Sequence, residues 1–144
     1  MMAPPSDRFK PIHKLASQKE RKAAAALGES IRQRDAAQQR LEELRQYLAE
    51  YLERFANATR NGLPSNQVLE YQVFIAKLET AISQQEEIVA RSQESCDSSK
   101  QQWRGRYTKS KAVENAIDRM RLAEQKDLDR REQAESDERS QRKK

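Results

Sequence analysis

Residues that interrupt helices are almost absent from two long stretches of this 144-residue chain: proline occurs only at positions 4, 5, 11 and 64, and glycine only at 28, 62 and 105. Each stretch can therefore continue as a single helix, because nothing within it removes a backbone donor or favours a left-handed conformation. The segment Asn57 to Asn66 is different. It holds Asn61-Gly62 and Leu63-Pro64-Ser65, which combine a left-handed helix stop, a rigid turn and an N-cap. Pro11 suits the first turn of a helix, where its missing N–H had no partner to lose. The spacing predicts a single coiled-coil domain over 1–144: a flexible leader at 1–10, helix 1 over 11–58, a turn at 59–65, helix 2 over 66–135 and a fraying basic tail at 136–144.

Polarity this high raises disorder as the rival. Hydrophobic and charged residues each make up 35% of the chain, and mean hydropathy is -1.11. A disordered chain has no reason to keep its few apolar residues on one face, so periodicity decides between the two. In the second stretch, alternating steps of four and three give Tyr71, Ile75, Leu78, Ile82, Gln85, Val89, Ser92, Cys96, Ser99, Trp103, Arg106, Ser110, Val113, Ile117 and Met120. The first stretch gives Leu27, Ile31, Arg34, Gln38, Leu41, Arg45, Leu48, Leu52 and Phe55. Both are heptad seams with polar centres. Folding the chain at residue 63 sets Phe55 against Tyr71, Leu48 against Leu78, Leu41 against Gln85 and Leu27 against Ser99. The fold class is all-α: a long antiparallel two-helix coiled-coil hairpin with an overhanging C-terminal helix. The first arm ends opposite roughly residue 115, so Ile117, Met120 and Leu122 lack a partner within the hairpin.

No apolar run approaches the ~20 residues that span a bilayer, and the N-terminus has no signal-peptide core, so the expected location is the cytoplasm. The lone Cys96 cannot form an internal disulfide and reads as a small buried hydrophobe. Enzymatic chemistry is not expected. The single histidine, His13, lies near the N-terminus, no glycine-rich phosphate loop is present, and the carboxylates are spread among cations along helix surfaces. The same dispersion leaves neither a metal site nor a cofactor site.

Two groups of residues exceed what a hairpin needs. Near the turn, Leu44, Tyr47 and Tyr51, and likewise Phe74, Leu78 and Ala81, form stripes beside the seam. They either face a partner, broaden the hairpin's own packing, or make a dimer. Far from the turn, Lys100, Arg104, Arg106, Lys109 and Lys111 occur with no acid between Asp97 and Glu114, and the fold-back places Lys14, Lys19, Arg21 and Lys22 beside them. A positive open end suits an acidic protein, nucleic acid or anionic lipid. Trp103 and Tyr107 lie within it, yet net charge is only +5, no nucleic-acid motif is present, and Trp103 falls on the seam.

The residues around the turn also carry a resemblance. Tyr47-Leu48-Ala49-Glu50-Tyr51, Asn61-Gly62, Ser65-Asn66, Tyr71-Gln72-Val73-Phe74-Ile75, Leu78-Glu79, Ala81-Ile82 and Gln84 resemble the flagellar export family FliJ, as do Leu27-Gly28-Glu29 and Trp103-Arg104 with the basic helix that follows. Arg40 stands where that family often has Gln, and Gln85 where it can have His. The resemblance implies a non-enzymatic stalk, similar to the central stalk of rotary ATPases, that inserts in the ring of the flagellar export ATPase FliI and promotes its assembly and activity. It also implies contact with the export gate protein FlhA and escort of flagellar export chaperones, by a monomer peripheral to the inner membrane. The gate-facing residues it implies are Phe74, Leu78, Ala81 and Gln85, with Leu44, Tyr47 and Tyr51; the basic cluster and overhang would meet the ATPase ring. A structural homodimeric tether and the equivalent stalk of a virulence-type secretion system are the alternatives.

Overall fold

The computed structural model describes residues 3–143, which contain two helices and no strand. Helix α1 spans Pro5–Arg60 and helix α2 spans Ser65–Arg142, 56 and 78 residues respectively. They pack against each other as an antiparallel hairpin. The backbone amides of Asn61 and Gly62 close α1 by donating hydrogen bonds to the carbonyls of Asn57 and Thr59, and Gly62 has φ 81°. The carbonyl of Pro64 accepts from the amides of Gln67 and Val68. Pro64 thus occupies the N-cap position and Ser65 is the first helical residue, one step earlier than the sequence suggests.

Helix α1 begins at Pro5, not at Pro11, which lies inside the helix. Pro5 takes the first helical position, Pro4 accepts from the amides of Asp7 and Arg8, and Asp7 sits in the first turn, paired with Lys10 at 2.8 Å. The amide of Ser6, an orphan donor in any isolated helix, finds the Glu124 carboxylate of α2 at 3.0 Å. Together these offset the one backbone bond that Pro11 removes. At the other terminus α2 continues to Arg142, beyond the expected end at 135. Pairs at i,i+4 such as Arg131–Asp127, Gln133–Asp137 and Arg139–Glu135 run along it, each worth tenths of a kcal/mol. Positions 1 and 2 of the expected leader, and 144 of the expected tail, lie outside the described residues.

Two compact units divide the chain, one comprising residues up to 24 with those from 102 onward, the other residues 25–101. In the second unit Leu41, Leu44 and Ile82 form the core, with Leu48, Ala81 and Val89 against it. The α2 seam here follows the sequence series. The α1 seam keeps Leu27, Ile31, Arg34, Leu41, Leu48 and Phe55 of its series but shifts by one residue at the positions between: Ser30, Ala37 and Leu44 are buried and Tyr51 half-buried, while Gln38, Arg45 and Leu52 face solvent. Burial of Leu44 and Tyr51 outweighs that of Leu52, because the Leu52 phase would also bury Arg45. The polar centre of the seam is paired: Ser30 with Ser99 at 2.9 Å, the Gln85 amide with the Ala37 carbonyl at 2.9 Å, and Arg34 with the Cys96 sulfur at 3.6 Å. Cys96 is free and buried, as its seam position implies.

In the first unit Ala16 and Ile117 are buried, Trp103 is half-buried, and the Trp103 indole N–H donates to Glu20 at 2.8 Å. The hydroxyl of Ser6, a residue only 3% exposed, donates a hydrogen bond to the Glu124 carboxylate at 2.7 Å. Ile117 therefore has a partner, and the expectation that it lacks one is corrected. Starting α1 six residues earlier carries the first arm as far as Glu124. Met120 is half-buried and Leu122 exposed, and every described residue from 125 onward is exposed.

Candidate interaction surfaces

Five aromatic rings meet beside the turn. Phe74 lies 4.4 Å from Tyr51 and 6.0 Å, edge-on, from Tyr47, while Tyr71 lies 5.2 Å from both Tyr51 and Phe55. These centroid spacings suit offset and edge-to-face attraction. Of the seven residues picked out as a stripe, Leu44 and Leu78 are buried, Ala81 packs on the core and Gln85 is tied to Ala37. Tyr47 is 42% exposed, and Tyr51 and Phe74 are half-buried. The accessible part is thus an aromatic face resting on a leucine core. On another side of α2, Leu69 is 61% exposed and Val73 also reaches solvent; Val73 borders a shallow hollow with Ala76, Lys77, Thr80, Ala81 and Gln84. The spacing of Leu69, Val73, Ala76 and Thr80 was legible as a second heptad stripe, but the stronger seam overshadowed it.

The cationic residues Lys14, Lys19, Arg21, Lys22, Arg104, Arg106, Lys109 and Lys111 are exposed within the unit of residues up to 24 and from 102; Lys100 is exposed but belongs to the other unit. Lys111 pairs with Glu114 at 3.1 Å, and this hydrogen bond holds its ammonium above the ordinary lysine pKa. Its ammonium also stands 5.8 Å over the Tyr107 ring, which stacks on Trp103 at 5.4 Å. Trp103 is half-buried and tied to Glu20, while Tyr107, 43% exposed, carries the Trp103 ring and the Lys111 ammonium against its own ring. Between the helices, Ile12, Leu15, Ala16 and Val113 line a groove edged by Lys19, Arg106 and Lys109.

Among the described residues no three His, Cys, Asp or Glu side chains converge as a metal site would require, and no helix is long and apolar enough to cross a membrane. The arrangement offers docking surfaces: one aromatic, one apolar with a cationic edge. A family model described as flagellar FliJ protein matches residues 5–143, nearly the whole chain. The chain belongs to the FliJ family. No curated protein matches it. Membership makes this FliJ-family chain a component of flagellar protein export, and the match runs through the aromatic face and the cationic groove alike.

Proposed function

We propose that this protein is a non-catalytic stalk and adaptor of the export apparatus. It inserts in the ring of the flagellar export ATPase FliI, promotes ring assembly and ATP hydrolysis, contacts the export gate protein FlhA and escorts export chaperones. It acts in the cytoplasm, peripheral to the inner membrane through those contacts. The observation that carries this reading is that one chain presents two chemically different surfaces, one in each of its units. The aromatic face beside the turn lies in the unit of residues 25–101, and all of the cations except Lys100 lie in the other.

The gate-facing surface is formed by Phe74, Leu78, Ala81 and Gln85 with Leu44, Tyr47 and Tyr51. Tyr47, Tyr51 and Phe74 touch the gate, while buried Leu44 and Leu78 hold the rings in place. The ring-facing surface is formed by Lys14, Lys19, Arg21, Lys22, Lys100, Arg104, Arg106, Lys109 and Lys111, whose positive charge steers an acidic partner. The test is the ATP hydrolysis rate of the purified export ATPase with and without this protein, alongside light scattering of the protein alone. Stimulation by a monomer is expected. An unchanged rate together with a stable dimer would replace the stalk with a structural homodimeric tether.

A further inference from the structure

We propose that the groove between α1 and α2, floored by Ile12, Leu15 and Val113 and edged by Lys19, Arg106 and Lys109, receives an acidic amphipathic helix of a partner protein. It rests on the ring-contact reading for which partner supplies that helix, but the chemistry follows from the groove.

Ile12 and Leu15 are 48% and 53% exposed, an apolar pair that the hairpin itself leaves uncovered. None of Lys19, Arg106 and Lys109 has an ion-pair partner among the described residues, whereas the nearby Lys10 and Lys111 are both paired. Arg106 and Lys109 also border an adjoining hollow with Ala23, Gln102 and Gly105. A β-carbon at Gly105 would meet nothing within 4 Å. Glycine inside a helix costs roughly 0.5–1 kcal/mol relative to alanine, and no neighbour in the protein requires it there. Its absent side chain lowers the surface where another backbone can approach. From Ala23 to Ile12 the two hollows follow α1 for about three turns at ~1.5 Å per residue, the length of a short docked helix. Arg106 and Lys109 are three residues apart on α2, so carboxylates at i and i+3 or i+4 of the incoming helix reach both. Its apolar residues then cover Ile12 and Leu15. Nucleic acid is the poorer occupant, because the floor is aliphatic and no aromatic ring lines it.

The probe is a fluorescent synthetic peptide with leucines on one helical face and glutamates along both flanks, titrated against the full-length protein by anisotropy. A scrambled peptide of identical composition is the control, and vesicles containing anionic lipid are run in parallel. Two double variants, Arg106→Glu with Lys109→Glu and Ile12→Gln with Leu15→Gln, are checked for helicity by circular dichroism. The amphipathic peptide is expected to bind, with affinity falling at least about tenfold in each double variant while helicity is retained, and the scrambled peptide is expected not to bind. Equal binding of the scrambled peptide, undiminished binding by both variants, or binding to the vesicles alone would overturn the inference. ATP hydrolysis separates this from the ring reading. If the export ATPase ignores the wild-type protein while the peptide binds, the ring reading fails and the groove stands. If the wild type and both variants stimulate equally, the ring reading stands and the groove is not its contact.

Discussion

Gly62 and Glu124 show how single residues set where the helices stop and start. Gly62 holds φ 81°, a left-handed conformation that a β-carbon resists even though space around it is open. Gly62→Ala is expected to cost about 1 kcal/mol, read as a lower urea midpoint with unchanged helicity. Asn61-Gly62 announced that position in the sequence, because the backbone requirement is local. Glu124 is the opposite case. It accepts from both the amide and the hydroxyl of Ser6 across 118 residues, and no local pattern distinguishes it from the other glutamates of α2. The true start of α1 was illegible for the same reason. Glu124→Ala removes an N-terminal cap worth about 1 kcal/mol; amide exchange over residues 5–9 should accelerate while residues 40–50 keep their protection. Unchanged exchange in the first turn would mean that Pro5 and Asp7 hold the helix start without Glu124.

At the scale of the helices, the α2 seam could be read in full except at Arg106, whose side chain faces solvent. The α1 seam could be read at Leu27, Arg34, Leu41, Leu48 and Phe55 but not at the positions between, where apolar residues occur at neighbouring phases: Ile31 and Leu52 argue for one, Leu44 and Tyr51 for the other. Contacts with Ile82 and the aromatic rings choose the second. Leu44→Ala should therefore destabilise the protein by about 2–4 kcal/mol, seen as a lower thermal midpoint, whereas Leu52→Ala should cost under about 1 kcal/mol. Equal losses would return Leu52 to the seam. The paired polar centre sets register more than stability. Gln85→Leu leaves the Ala37 carbonyl inside its helix bond and adds apolar seam, so a thermal midpoint equal to or above the wild type is expected. Disulfide trapping between engineered cysteines at positions 30 and 99 should then become less selective for that pairing.

For the whole molecule, the candidate surfaces were partly legible. The α2 cations were visible as an acid-free run and those of α1 by the fold-back, and all of them are exposed. The aromatic stripe was visible too, but sequence spacing could not tell its accessible rings from the leucines beneath, since that division depends on which phase α1 presents. Phe74→Ala should weaken gate binding by ~1–3 kcal/mol with helicity intact, while Leu78→Ala should lower both stability and gate affinity; binding to the cytoplasmic domain of the gate and circular dichroism check the pair. If different residues serve the ATPase ring and the gate, as proposed, one molecule engages both. The most direct measurement is ATP hydrolysis by the export ATPase when this protein is first captured on an immobilised gate domain. Stimulation equal to that by the free protein is the predicted result. Loss of stimulation on capture would contradict it, because ring and gate would then be competing for one surface.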